Sequence, residues 1–206
     1  MTLTARSIKG AALFGGLGGA INAWLCYAGM PERAMEFSWW IIPAGACHGA
    51  LLAALTVYAG ARCAGGGRVL TWVVGAALAG WIAGWLSFIP VQLYIGDEFT
   101  WSAIIKSIAW PFPRHAEALY MPYCDFGLVT LLWIAFTARL GKYPGRSRLL
   151  LAGIGSGMLG SLWWWIAWEK WYFSLIHGAI WGALVGYGVW HGQKTARSHT
   201  TSVRAQ

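Results

Sequence analysis

The chain has 206 residues, of which 58% are hydrophobic and only 11% charged, and its mean hydropathy is +0.53. That balance excludes an ordinary soluble domain and points to an all-α polytopic membrane protein. A net charge of +8 would suit nucleic acid in a soluble protein, but here the placement of the charges assigns them to membrane topology and anionic lipid, with no nucleic-acid partner.

Taken in order, six stretches are long enough to cross a hydrocarbon core of about 30 Å, which needs roughly 20 helical residues. They run from about 10 to 29, 39 to 61, 69 to 89, 119 to 138, 149 to 168 and 171 to 190. Strands of a membrane barrel are half as long and alternate in polarity, which these do not. The first stretch follows Arg6 and Lys9 as a signal peptide would, but no clean Ala-x-Ala site precedes Met30. It reads as a retained helix.

Between the third and fourth spans lies the long connection, 90 to 118. Within it Trp101, Ile104, Ile105 and Ile108 recur at helical spacing and predict one helix lying flat at the outer interface, ended by Trp110-Pro-Phe-Pro113. Residues 191 to 206 read as a basic cytoplasmic tail. His115, His191 and His199 read as solvated loop residues.

Orientation follows from the loops. Arg6, Lys9, Arg62, Arg68, Arg139, Lys142, Arg146, Arg148, Lys194, Arg197 and Arg204 fall on one side, eleven of the fifteen basic residues, with no acid among them. Six of the seven acids fall on the other side, and Asp125 lies inside the fourth span. Both termini are therefore expected in the cytoplasm, with the chain in a bacterial inner (plasma) membrane.

The motif that organises the chain occurs twice. His48-Gly-Ala-Leu-Leu-Ala-Ala-Leu-Thr-Val-Tyr58 aligns without a gap on His177-Gly-Ala-Ile-Trp-Gly-Ala-Leu-Val-Gly-Tyr187. The odd-numbered spans share Gly-x-(Ile/Leu)-x-x-Trp at Gly19–Trp24, Gly80–Trp85 and Gly160–Trp165. Together these predict three helical hairpins in a parallel pseudo-repeat, with Asp125 in the second occupying the position of His48 and His177.

Small residues four apart recur as Gly15/Gly19, Gly45/Gly49/Ala53, Gly80/Gly84, Gly153/Gly157/Ser161 and Gly178/Gly182/Gly186. In lipid such ridges drive close helix packing. They serve the chain's own helices, a partner membrane subunit or a homo-oligomer.

An ionisable residue at membrane depth is a functional-site hypothesis by default. At 1.5 Å per residue His48 lies about 13 Å below Trp39 and His177 about 9 Å below Trp171, and Asp125 is at similar depth. His48, Asp125 and His177, with Trp164 and Trp165 nearby, are the ligand-binding or proton-handling residues this sequence offers. Imidazole also suits haem or a transition metal, which would fall to His48 and His177. A register-fixing hydrogen bond across helices is the structural alternative. No nucleophile, P-loop or zinc-protease motif is present, so an enzyme is not indicated. The four cysteines have no metal-type spacing and predict no disulfide.

Six spans, cytoplasmic termini, a small-residue first helix and an outer-half pocket resemble, in layout over the whole chain, the substrate-binding subunits of energy-coupling-factor vitamin transporters. The resemblance implies a small-solute binding or transport component with an outward-facing cavity, whose small-residue faces would dock a partner. A haem- or metal-binding redox protein and a structural or assembly subunit are the other readings.

Overall fold

The computed structural model describes residues 5–29, 41–63, 128–138, 140–141, 144–162 and 171–204. These residues are all-helical, with no strand among them: α1 (Ala5–Gly29), α2 (Ile41–Cys63), α3 (helical over 128–137), α4 (Arg146–Gly160) and α5 (Trp171–Arg204). The expected spans at 10–29, 39–61 and 171–190 coincide with α1, α2 and the first part of α5. That at 149–168 is described as far as residue 162 and that at 119–138 from residue 128. The span at 69–89 and the interfacial helix within 90–118 lie outside the described residues.

Among the described residues no helix is long and apolar enough to cross a membrane. Length is not what is short, since α1, α2 and α5 have 25, 23 and 34 residues. Apolarity is diluted instead, by Gly and Asn22 in α1, by Gly, His48 and Arg62 in α2, and by Gly, Ser174 and His177 in α5.

Backbone contact sets the packing. α1 and α2 run antiparallel, with Gly15 and Gly19 against Gly49 and Gly45 so closely that a Cβ on Gly19 would overlap the Gly45 carbonyl. α4 and α5 repeat this, Gly153 against Gly182 and Gly157 against Gly178. α1 also lies antiparallel along α5, where Gly10 meets Gly188 and Gly18 meets Trp181. α3 packs antiparallel on α4 through Gly160 with Val129 and Gly155 with Phe136. It runs parallel to α2, with Thr130 on Thr56 and Trp133 on Gly60. The ridges the sequence singled out in α1, α2, α4 and α5 are thus filled by the chain's own helices.

The two hairpins correspond contact by contact. Gly15 faces Gly49 and Ala53 as Gly157 faces Gly178 and Gly182, and these α2 and α5 residues are equivalent in the His-Gly-Ala alignment. Gly19 therefore corresponds to Ser161. The Gly-x-(Ile/Leu)-x-x-Trp alignment, which pairs Gly19 with Gly160, is displaced by one residue. Gly160 corresponds to Gly18, and both turn to the next helix. A Cβ on Gly18 would fall 3.0 Å from the Trp181 Cα, and one on Gly160 would fall 2.9 Å from the Val129 Cα.

The interior joins an apolar cluster, with Leu52, Val57, Trp133, Leu149 and Val185 buried, to small hydroxyls, and large aliphatic side chains also lie on the surface. Ser7, Thr56, Thr130, Ser156 and Ser161 are buried, whereas Leu13 is 71% and Leu151 68% exposed. Some of the inner hydroxyls bond their own helix, as Ser156 Oγ does to Gly153 O (3.0 Å).

Two connections explain themselves locally. Gly141 takes φ +76° after α3, a conformation that suits glycine. α4 then begins beyond Pro144-Gly145, where φ is pre-set and no N–H is lost from a ladder. A correction concerns the last residues. The expected tail is helix as far as Arg204, so α5 continues about 20 Å beyond Trp190 at 1.5 Å per residue, and His191 and His199 lie on it rather than in loops.

If backbone contact holds the hairpins, Gly19→Ala and Gly157→Ala should each cost about 1–3 kcal/mol through overpacking. Gly145→Ala, which meets nothing within 4 Å, should leave thermal unfolding unchanged. Equal midpoints for all three variants would refute the assignment.

Candidate functional site

Seven residues into α2 and six into α5, His48 and His177 enter from the same end of the bundle, opposite the end that carries Arg6, Arg62, Arg146 and Lys194. α1 lies against both helices and relates their levels. Gly49, next to His48, sits between Gly15 and Gly19. The His177 carbonyl sits opposite Asn22 and accepts a hydrogen bond from its Nδ2 (3.0 Å). The two histidines are therefore staggered by about one helical turn, roughly 6 Å along α1, rather than placed at one level.

Trp181 closes the corner. One turn along α5 from His177, its Nε1 donates to the Gly49 carbonyl (3.3 Å), tying α5 to α2 beside His48. Because Gly18 lies against the Trp181 backbone, the indole reaches α2 past a helix face with no side chain in its way. His48 and His177 thus belong to one junction of α1, α2 and α5, and both are half-buried. The Nε2 of His177 is shielded from solvent.

Asn22 belongs to this site and the sequence analysis passed over it. Its Nδ2 is used on His177, while its Oδ1 is buried and meets no donor among the described residues. A buried acceptor in that state calls for water, a ligand or another part of the chain. A signal is present in the sequence: Asn22 is the only amide in the run from 10 to 29, and a lone polar side chain in an apolar run marks a candidate site as a histidine does.

Two further polar ties were also missed. Thr56 and Thr130 share a hydrogen bond (3.1 Å) between α2 and α3. Ser161 Oγ donates to Ser174 O (2.7 Å) between α4 and α5. Each joins helices whose apposition no single helical pattern announces.

Asp125, Trp164 and Trp165 lie outside the described residues. Among the described residues no three of His, Cys, Asp and Glu gather as a metal-ligating group. Cys47, next to His48, is a free and exposed thiol. What the described residues offer chemically at this junction is one buried acceptor, Asn22 Oδ1, with His48 and His177 on the adjoining helices. That combination suits hydrogen-bonding recognition of a small polar molecule.

Comparison with protein-family models, with curated proteins and with solved structures gives no match. The functional reading therefore rests on the chain's own residues.

If Trp181 ties α5 to α2, Trp181→Phe should lower stability by about 1 kcal/mol. Thr56→Val and Thr130→Val should be non-additive by about 0.5–1.5 kcal/mol in a double-mutant cycle. Additive effects of the two threonine variants would show that their hydrogen bond contributes nothing.

Proposed function

We propose that this chain is an integral membrane protein that binds or transports a small polar solute at the α1/α2/α5 corner. The observation that carries the reading is the set of large aliphatic side chains on the surface of a bundle whose interior buries hydroxyls among its apolar residues. Leu13, Leu17, Leu151, Leu159 and Ile176 are exposed, while Ser7, Thr56, Thr130 and Ser156 are buried. In water such an arrangement leaves large aliphatic side chains unburied and stacks small residues inside. In lipid it is the expected one, because helices there associate over small residues and hydroxyls and show aliphatic side chains to the acyl chains.

Two more features support the same reading. The helix directions alternate as membrane topology requires, α1 and α4 running one way and α2, α3 and α5 the other. The described basic residues mostly cluster at the end where α1 and α4 begin and α2 and α5 leave the bundle, which on the positive-inside rule is cytoplasmic. Six spans in three parallel hairpins accommodate the directions and the matching contacts of the α1/α2 and α4/α5 hairpins. The apolarity missing from the helices is offset in such a bundle, since many of their Gly pack on neighbouring helices and Asn22 bonds across to α5.

The solute would enter from the non-cytoplasmic end, where Asn22 Oδ1, His177 and His48 lie, as in the substrate-binding subunits whose layout the sequence resembles. A partner subunit would dock on faces other than the ridges already filled.

Cysteine placed at Leu13, Leu151 or Ile176 in a background lacking the native cysteines should resist aqueous maleimide in membranes and react after denaturation. Ready labelling in intact membranes, or a monodisperse protein without detergent, would overturn the membrane reading. Native mass spectrometry of the detergent-purified protein should show a co-purified small molecule that Asn22→Leu abolishes. A correctly folded protein with no such molecule, and none acquired from a metabolite mixture, would overturn the solute reading alone.

A further inference from the structure

The described residues at one end of the bundle are strongly basic. Arg6, Lys9, Arg62, Arg146, Arg148, Lys194, Arg197 and Arg204 are described, and no Asp or Glu is among the described residues. Helix packing brings Arg6 and Arg146 against the stretch of α5 that carries Lys194. Arg6 donates to the Thr195 carbonyl (2.6 Å), Gly192 lies on the Arg6 backbone and Gly186 on that of Leu149. The starts of α1 and α4 thereby lie against α5 between Gly186 and Thr195.

Within that end, two cations from different helices share one ring. The Arg146 guanidinium lies 5.5 Å from the centre of the Trp190 ring and 5.4 Å from that of Tyr187. The Lys194 ammonium lies 5.5 Å from the same Trp190 ring. The rings are themselves held, Tyr187 edge-on to Phe14 at 4.9 Å and tilted against Trp190 at 5.5 Å. A guanidinium stacked by its face on an aromatic still presents its N–H edge, which matches phosphate geometry. Two exposed like charges on one indole repel each other unless an anion lies between them.

Resting on the membrane reading above, we infer that Arg146 and Lys194, braced on Trp190 and Tyr187, form a headgroup site for an anionic phospholipid of the cytoplasmic leaflet. Charge complementarity selects an anion. The depth selects a lipid, because Tyr187 and Trp190 lie on α5 level with the start of α4, at the basic edge of the bundle, and Trp and Tyr at such an edge mark the level of the headgroups. The phosphodiester accepts from both cations while the acyl chains run along the exposed aliphatic surface. Arg62 provides an internal control. It also sits over a ring, 5.6 Å from the centre of Tyr58, but its Nε donates to the Tyr58 hydroxyl (3.2 Å), and no second cation shares that ring among the described residues.

The test uses the full chain in nanodiscs and in detergent. Native mass spectrometry with added phosphatidylglycerol or phosphatidylcholine should show a retained phosphatidylglycerol adduct favoured roughly thirtyfold, from two basic residues at about fivefold each. Arg146→Gln with Lys194→Gln should remove that preference, and Arg62→Gln should keep it. Trp190→Phe, which retains a ring, should weaken the preference without abolishing it.

Equal retention of the two lipids by the wild type would overturn the inference, as would an equal loss in Arg62→Gln. Displacement of the adduct by millimolar inorganic phosphate would assign the site to a free anion instead. Displacement by a soluble acidic peptide or nucleic acid would assign it to a macromolecular partner. A chain that enters nanodiscs but shows no lipid preference refutes this site alone. A chain that does not enter them refutes the membrane reading beneath it.

Discussion

The contact of bare backbone on bare backbone, along α1 with α2 and along α4 with α5, is what the remaining geometry depends on. Where Gly19 faces Gly45 and Gly157 faces Gly178, the position of a methyl group is taken by a carbonyl of the neighbouring helix. Helices this close interlock in one axial register, because sliding by a residue would drive side chains into main chain. The register then decides every polar meeting in the bundle: Asn22 on the His177 carbonyl, Trp181 on the Gly49 carbonyl, Ser161 on the Ser174 carbonyl.

Interiors of this kind must reconcile close approach with polar atoms. Here the reconciliation is local. Thr137 Oγ1 donates to Trp133 O at 2.6 Å and Ser156 Oγ to Gly153 O at 3.0 Å, so these hydroxyls are satisfied within their own helices and add little bulk. The larger polar side chains are the exceptions, and both atoms of the buried Gln193 amide meet no partner among the described residues. Asn22 differs from Gln193 in having one bond made and one acceptor open. A half-satisfied amide beside two histidines is more informative about recognition than any of the fully bonded hydroxyls.

Much of this arrangement was legible in the amino-acid order, and the parts that were not share a cause. Spacing by four marks a small-residue ridge, and Gly15, Gly19, Gly45, Gly49, Gly153, Gly157, Gly178 and Gly182 all serve as ridges. Spacing does not say which neighbour a ridge meets. Gly18 and Gly19 are adjacent and chemically identical, yet one turns to α5 and the other to α2, and for that reason the repeat among the odd-numbered helices was misaligned by a residue. The helical continuation beyond Trp190 was hidden because its polar composition, His-Gly-Gln-Lys-Thr-Ala-Arg, resembles a solvated tail. What holds it is α1, through Arg6 and Gly192, a contact far away in sequence. Asn22 differs again: it occurs once, so no repeat marks it, and its role depends on the meeting of α1 with the His177 carbonyl of α5.

α5 spans 34 residues without a proline. It carries His177 near one end and Trp190 and Lys194 toward the other. An uninterrupted helix has no hinge at which bending could be absorbed. A tilt of α5 at the end that carries His177 would therefore sweep the opposite extremity sideways, in the manner of an oar in its rowlock, with the glycine contacts to α1 and α4 as the fulcrum.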